Sequence, residues 1–363
     1  MSGIDAALLA FMVAVLLLLC LRPVAFAVEL VDRPGGRKAH IGVVPVIGGL
    51  CMWLAAGFVL PLVSPEIPKL ASFLIGSGLL VLVGSIDDRF DLPPQVRLIA
   101  QACAGLVLCL GAGLTATNLG NLLFLGDIPL GPFGLPFTVL VAIAVINAFN
   151  MLDGMDGLAG GVSLASLLVL TVTLVLFGQP GAFGLAAVMA AVVAAFLVFN
   201  FPIPFNRPVR TFMGDAGSTM LGFAVIWLGL QMSQGPGAVI SPVATLYIAA
   251  LPIFDLFISF GRRLSKGQSP LQADRNHFHH ILRRSGFSER EIVVLMSGSA
   301  LIVGALGVIM DRLGAAEPLM LILLVLMGAA QYRLQNRAWR AARRIRRLRE
   351  RLSALMQSPH RRA

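Results

Sequence analysis

Five polar segments of this sequence carry the residue types that bind phosphate groups and divalent cations. The first contains Arg37, Lys38 and His40, a cationic cluster that favours phosphate contact, with anchoring of a neighbouring helix at a membrane surface as the alternative. The second contains the adjacent carboxyls Asp87 and Asp88. Like charges at the end of an apolar helix repel each other, so this pair indicates a divalent cation or a catalytic proton rather than a solvated helix end.

The third segment, NAFNMLDGMDGLAGG, spaces its amides and carboxyls three residues apart. Asn147 and Asn150 share one face if the preceding helix extends that far, and Asp153 and Asp156 repeat the spacing. The glycines between them let the backbone approach a ligand closely. The segment lacks the twelve-residue ligand pattern and terminal Glu of an EF-hand, which argues against a calcium sensor.

The fourth segment, FMGDAGST, places Asp215 among small residues just before a predicted helix. A helix N-terminus of this kind binds phosphate, and a carboxylate beside it can bring Mg²⁺. The alternative is that Asp215 or Ser218 caps the helix.

The fifth segment contains His277, His279 and His280, three of the five histidines in the chain. A zinc site would need a fourth partner, and the surrounding cations oppose a metal. They favour a multiply charged anion such as a nucleotide diphosphate, with a structural role as the remaining alternative. The cations are Arg262, Arg263, Lys266, Arg275, Arg283 and Arg284.

The amino-acid composition indicates the class of protein in which these five segments lie. Of the 363 residues, 57% are hydrophobic and 13% are charged, against roughly 45–50% and about 25% in soluble domains. Since a soluble domain of this size cannot bury so much apolar surface, a cytosolic enzyme, a disordered chain and a disulfide scaffold are excluded. We predict an all-α, polytopic integral membrane protein with about eleven transmembrane helices and cytoplasmic catalytic loops. The predicted spans are 7–27, 44–63, 70–86, 97–114, 134–151, 158–178, 183–202, 216–233, 239–261, 291–310 and 317–334.

The basic residues orient these spans. With eleven crossings, 26 of the 28 Lys and Arg residues fall on one side, and the positive-inside rule makes that side cytoplasmic. The net charge of +10 is therefore read as a determinant of topology, and no nucleic-acid partner is predicted. We divide the chain into one transmembrane domain, 1–334, and an Arg-rich amphipathic cytoplasmic tail, 335–363.

Together, the motifs resemble those of the polyprenyl-phosphate N-acetylhexosamine-1-phosphate transferases, relatives of phospho-N-acetylmuramoyl-pentapeptide transferase. The strings DDRFDL, NAFNMLDGMDGLAGG, FMGDAGST and SPLQADRNHFHH carry the resemblance, in order, over nearly the whole chain. One departure is that the lysine that often follows the acidic pair in the family is here Arg97, which keeps the charge but bonds with a different geometry. The residues and the resemblance together give catalytic candidates Asp87, Asp88, Asp153 and Asp156; metal ligands Asp215 and Asn150; and substrate-binding candidates Arg37, Lys38, His40, Arg97, Asn147, His277, His279 and His280.

The resemblance implies a reaction, its partners and a location. The enzyme would transfer GlcNAc-1-phosphate from UDP-GlcNAc to undecaprenyl phosphate at the cytoplasmic face of the bacterial inner membrane. The reaction would release UMP and start a cell-envelope polysaccharide such as O-antigen or enterobacterial common antigen. Mg²⁺, or alternatively Mn²⁺, would be the cofactor, membrane lipids would surround the protein, and a homodimer is a candidate assembly. Another UDP-N-acetylhexosamine as donor and an ion-coupled transporter are the alternatives. The order of steps, the general base and an aspartyl intermediate stay open.

Overall fold

The computed structural model describes residues 1–33, 42–63, 67–178, 180–202, 211–265 and 277–337, with positions 267, 340, 343 and 347. In this part of the chain helices dominate, which confirms the predicted fold class. Two short antiparallel strands, β1 and β2, pair Val31 with Pro45 and Asp32 with Val44. The elements are α1 (Gly3–Cys20), α2 (Arg22–Ala27), β1 (Val31–Asp32), β2 (Val44–Pro45), α3 (Gly48–Val59), α4 (Ile67–Phe90), α5 (Pro94–Leu106), α6 (Gly134–Asn150), α7 (Leu158–Phe177), α8 (Pro180–Asn200), α9 (Gly214–Ser233), α10 (Pro242–Ile248), α11 (Ala250–Leu264), α12 (Phe278–Arg284), α13 (Glu289–Arg312) and α14 (Glu317–Asn336).

Ten of the eleven predicted spans overlap a helix, or a bent helix pair, that is long and apolar enough to cross a membrane; the span 44–63 begins in strand β2 and overlaps only the shorter helix α3. Within the described residues, nine helices are long and apolar enough to cross a membrane, and the bent pair α10 and α11 makes a tenth. Helix α3 with the 3-10 turn that follows it, Gly48–Leu62, is shorter than the roughly 20 residues of a typical crossing. The protein is a multi-pass membrane protein.

The span predicted as one helix over 239–261 is broken. Helices α10 and α11 meet at Ala249 with a bend of 82°, and Ala249 lies outside the helical region at φ −105° and ψ 16°. Pro252 has no N–H to donate to the carbonyl of Ile248, four residues earlier, so the helix loses a hydrogen bond at the bend. The hydroxyl of Ser166 on α7 donates to that carbonyl at 2.8 Å, which satisfies it inside the bundle.

Helix α9 lies at the centre of the bundle, in contact with α3, α4, α6, α7, α8 and α10, and almost all of its residues are buried. Small residues make this possible. A Cβ at Gly49 of α3 would collide with the backbone of Gly217, and one at Gly84 of α4 would collide with the backbone of Ala216. The backbones of α3 and α4 therefore touch the first turn of α9, as glycine contacts between membrane helices allow.

The contact between Gly84 and Ala216 generates a stability prediction. We expect Gly84→Ala to destabilise the protein by about 1–3 kcal/mol, because overpacking forces the backbones of α4 and α9 apart. Gly298→Ala on α13 is the matched control: its Cβ would have no neighbour within 4 Å, and alanine favours the helix. Thermal unfolding in detergent measures both variants, and equal melting temperatures would contradict the close approach of α4 and α9.

Candidate active site

The end of α4 and the start of α5 bring opposite charges to the first turn of α9. Arg97 Nη1 lies 2.9 Å from Asp87 Oδ2 and 3.2 Å from Asp215 Oδ2. Asp87 also accepts the backbone N–H of Leu92 at 2.6 Å through its Oδ1, and its side chain is almost completely buried. The guanidinium thus joins two carboxylates that are separated by more than 100 residues in sequence, and it offsets the repulsion between them.

Asp88 faces the same turn from the neighbouring position on α4. Its Oδ1 accepts the backbone N–H of Asp215 at 3.0 Å, while its Oδ2 is buried without a hydrogen-bond partner among the described residues. Gly214 has φ +72°, and a Cβ there would collide with Asp88, so both the conformation and the contact require glycine. An unpartnered buried carboxylate oxygen marks a place where a ligand or ion can bind.

The end of α6 supplies two amides, as the spacing predicted. Asn150 Nδ2 donates to Asp215 Oδ1 at 2.9 Å and to Ser218 Oγ at 3.0 Å. One turn earlier, Asn147 Nδ2 donates to Gln101 Oε1 on α5 at 2.5 Å. Asn150 therefore contacts the acidic cluster directly, while Asn147 ties α6 to the helix that carries Arg97.

The turn after α6 adds a further carboxyl. The backbone N–H of Gly214 donates to Asp153, so the N-terminus of α9 faces Asp153 as well as Asp88. Burial, followed by the negative charges of Asp215, Asp88 and Asp156, raises the pKa of Asp153 well above its usual range. Asp156, in the same turn, is one of the neighbouring charges that act on Asp153.

A buried asparagine fixes that turn relative to α9. Asn200, at the end of α8, accepts the N–H of Gly157 at 2.6 Å and donates to the carbonyl of Thr211 at 2.8 Å. Since Gly157 follows the two acids and Thr211 precedes α9, this side chain joins both segments that form the acidic cluster.

The three histidines lie on and just before α12, with their rings against one another. The ring centroids of His277 and His279 are 5.8 Å apart with nearly parallel planes, and those of His279 and His280 are 4.2 Å apart. A Cβ at Gly154 would lie 3.4 Å from His279 Nε2, so the histidines border the turn that carries Asp153. The fifth segment and the third segment therefore meet.

The environments of these rings differ. Burial is the main reason why the pKa of His279 is lowered to about 3, with the nearby cationic side chains adding to it. The pKa of His280 is also lowered, mainly by burial and then by the charges of His277 and the arginines of α12. Both ring nitrogens of His279 are buried without a partner among the described residues, which leaves a neutral ring available to a ligand.

The residues present fit a hard divalent cation. No group of three or more His, Cys, Asp or Glu side chains with metal-binding spacing occurs within the described residues. Mg²⁺, however, is usually held by one or two protein oxygens, with waters and substrate phosphates completing its shell. Asp215 and the amide of Asn150 offer such a pair, beside the oxygen of Asp88 that has no partner among the described residues.

Of the predicted site residues, the structure brings together Asp87, Asp88, Arg97, Asn150, Asp153 and Asp215 around the start of α9. It places Asp156 within the 151–157 turn, His277, His279 and His280 beside that turn, and Asn147 one helical turn away. Arg37, Lys38 and His40 lie outside the described residues, and the 335–363 tail lies mostly outside them.

Sequence reasoning missed Gln101, Asn200 and Gln335. All three are buried and bond to other parts of the site. The available signal was that Gln101 and Asn200 are polar residues within otherwise apolar spans, where an unpaired polar group is costly.

Comparison with known proteins places the chain in a family. Residues 70–233 match the model described as glycosyl transferase family 4. The chain is 37% identical over 351 residues to an undecaprenyl-phosphate alpha-N-acetylglucosaminyl 1-phosphate transferase from Yersinia pestis, covering 96% of each chain. It is 38% identical over 343 residues to the protein of the same name from Escherichia coli O157:H7, covering 94% of this chain and 93% of the relative. This chain therefore belongs to glycosyl transferase family 4, in the group of the undecaprenyl-phosphate alpha-N-acetylglucosaminyl 1-phosphate transferases.

Proposed function

We propose that this enzyme transfers GlcNAc-1-phosphate from UDP-GlcNAc to undecaprenyl phosphate, releasing UMP and leaving a lipid-linked diphosphate sugar. The observation that carries the proposal is the convergence of Asp87, Asp88, Asp153 and Asp215 on the first turn of α9, next to three histidines. Oxygen ligands for a cation beside cationic and imidazole donors are the groups that phosphoryl transfer uses. The names of the relatives support the two substrates.

The attacking group is the phosphate of the lipid. A phosphate monoester has a second pKa near about 6, so it is mostly a dianion at neutral pH and needs little help to lose a proton. Asp87 and Asp88 then serve mainly to position the attacking phosphate and the cation, and general base catalysis by either is a minor contribution. Arg97 offsets the negative charge of the acidic cluster and lies ready to contact a phosphate oxygen.

A divalent cation completes the site. Enzymes of this family generally depend on a divalent metal, and we propose Mg²⁺, with Mn²⁺ as the alternative, held by Asp215 and Asn150. Asn150 directs its amide nitrogen at Asp215 in the structure, so turning the amide by half a rotation presents its oxygen instead. The cation supplies charge neutralisation for the diphosphate of the donor.

The histidines hold the diphosphate from the opposite side. His279 is buried and has ring nitrogens free of partners among the described residues, so it can bond a phosphate oxygen without first giving up another contact. The basic residues Arg283 and Arg284 on α12 add positive charge to this side. Arg37, Lys38 and His40 are proposed to contribute from the first segment.

The membrane location of the site is inferred from the lipid substrate and from the distribution of basic residues. Because a polyprenyl chain stays in the lipid, the site opens at a membrane surface, and the bias of basic residues favours the cytoplasmic face of the inner membrane. A homodimer is the assembly we propose. The role assigned is the first membrane step of a cell-envelope polysaccharide such as O-antigen or enterobacterial common antigen.

The donor sugar is tested by transfer with purified protein, undecaprenyl phosphate and Mg²⁺. We expect radiolabelled UDP-GlcNAc to give a lipid-linked sugar together with UMP in equal amount, because the reaction breaks the diphosphate between the two phosphorus atoms. Transfer from a different UDP-N-acetylhexosamine alone would select the alternative donor. Absence of transfer from every donor would contradict the proposed reaction.

The metal role is tested by Asp215→Asn, which removes one charge and almost no volume. We expect most activity to be lost while the melting temperature stays within a few degrees, and Mn²⁺ binding followed by paramagnetic resonance should weaken in parallel. Asp127→Asn, an exposed carboxyl in the 115–133 segment, is the control and should behave as wild type. Full turnover of the wild type in excess EDTA would refute the requirement for a metal.

The histidine role is tested by single alanine variants of His277, His279 and His280. Loss of a charge-assisted hydrogen bond to phosphate costs about 1.5–3 kcal/mol, which lowers the rate roughly tenfold to over a hundredfold. We expect at least two variants to be severe, His279→Ala above all. Elemental analysis separates the zinc alternative, since a structural zinc site would carry one zinc per chain. Wild-type rates in all three variants would exclude phosphate binding by this segment.

A further inference from the structure

Behind the histidines lies a buried carboxylate that the reaction does not itself use. Asp255 of α11 is 1% exposed, and its Oδ2 lies 2.7 Å from Nδ1 of His277. Its Oδ1 accepts the backbone N–H of Phe278 at 3.3 Å and the side-chain amide of Gln335 at 2.8 Å. His277, Phe278 and Gln335 come from two different parts of the chain, and all three converge on one carboxyl group.

The arrangement determines which nitrogen of His277 carries the proton. An ionised carboxylate only accepts hydrogen bonds, and Oδ2 of Asp255 lies at hydrogen-bond distance from Nδ1 of His277, which also has the hydroxyl of Ser259 at 3.4 Å. Nδ1 of His277 must therefore carry a hydrogen, which leaves Nε2 for another partner or, in the imidazolium, gives a second donor. A carboxylate behind an imidazole fixes the ring orientation as well as the tautomer. Because His277 and His279 are stacked at 5.8 Å, the orientation of one ring constrains the other.

We propose that Asp255 is a positioning residue for the transfer reaction: it holds His277 in the Nδ1–H form and in the orientation that the diphosphate requires. Gln335 of α14 holds Asp255 from the other side, so α14 supports the histidine segment. This inference rests on the proposed function of that segment. It assigns a role to the acidic side chain within the broken span, which contacts the histidine segment.

Asparagine at position 255 tests this role with almost no change in volume. An amide has one oxygen, so it cannot accept from His277 on one side and from Phe278 and Gln335 on the other. If its oxygen serves Phe278 and Gln335, its NH₂ group faces Nδ1 of His277 and forces the opposite tautomer. Asp311→Asn is the matched control, because Asp311 also accepts a backbone N–H, that of Ser241, at a distance from the histidines.

The first measurement is a double-mutant cycle on kcat for UDP-GlcNAc transfer. We expect Asp255→Asn to lower kcat roughly tenfold to a hundredfold, and the double variant Asp255→Asn/His277→Ala to be no slower than His277→Ala alone. Residues that act through one another are non-additive in this way. A wild-type rate in Asp255→Asn or in His277→Ala, or losses that multiply in the double variant, would overturn the proposal.

The second measurement does not depend on any substrate. ¹⁵N resonances of labelled histidine, assigned by their loss in His277→Ala, report the protonation of each ring nitrogen. We expect a protonated Nδ1 in the wild type and in Asp311→Asn, and a shift to the Nε2–H form in Asp255→Asn. An unchanged tautomer in Asp255→Asn would overturn the proposal. If the tautomer shifts while the wild type transfers no sugar from any donor, the proposed reaction fails and the pairing of Asp255 with His277 stands.

Discussion

Carboxylates that would repel one another in isolation are held together at the N-terminus of a single buried helix. The backbone N–H groups of Gly214 and Asp215 donate to Asp153 and Asp88, and Arg97 bridges Asp87 and Asp215. The positive end of a helix dipole adds to the stabilisation of these negative charges. The balance is incomplete, because burial and the neighbouring acids raise the pKa of Asp153, and one oxygen of Asp88 has no partner in the part of the chain that the structure describes.

The balance of charges at the start of α9 depends on helix–helix contacts so close that only glycine fits. Gly49 and Gly84 allow α3 and α4 to touch the first turn of α9, so the acids at the end of α4 reach Asp215 directly. Polar groups built on packed helix ends keep their positions more precisely than groups on long loops, which is what a site that works by orientation and electrostatics requires. Asn200 extends the same rigidity to the turn that carries Asp153.

A different set of contacts positions the segment that carries the three histidines. At the 82° bend between α10 and α11, the hydroxyl of Ser166 donates a hydrogen bond to the carbonyl of Ile248. Pro252 has no N–H with which to bond that carbonyl. Beyond the bend, the carboxylate of Asp255 forms hydrogen bonds with His277, Phe278 and Gln335. The acidic cluster and the histidines are thus positioned by separate sets of contacts that meet at the 151–157 turn, and each can be perturbed by its own variants.

The sequence alone predicted the membrane fold and the side of α6 on which two site residues lie. Apolar runs of bilayer length predicted the helical membrane fold, because in lipid every backbone polar group must be bonded within a helix or a closed barrel. Within the described residues, nine helices and one bent helix pair of that length lie at ten of the eleven predicted spans. The spacing in NAFNMLDGMDG placed Asn147 and Asn150 on one side of α6, since three residues make almost one turn.

Only the tertiary structure decided which distant groups meet. The pairing of Arg97 with Asp215, the break at Ala249 and the bonds of Asp255 to His277 and Gln335 join parts of the chain that no local pattern relates. Hydropathy and spacing report the face on which a residue lies along its own helix. Which neighbour that face meets is set by packing between helices, and within lipid that packing depends on shape and on the pairing of buried polar groups.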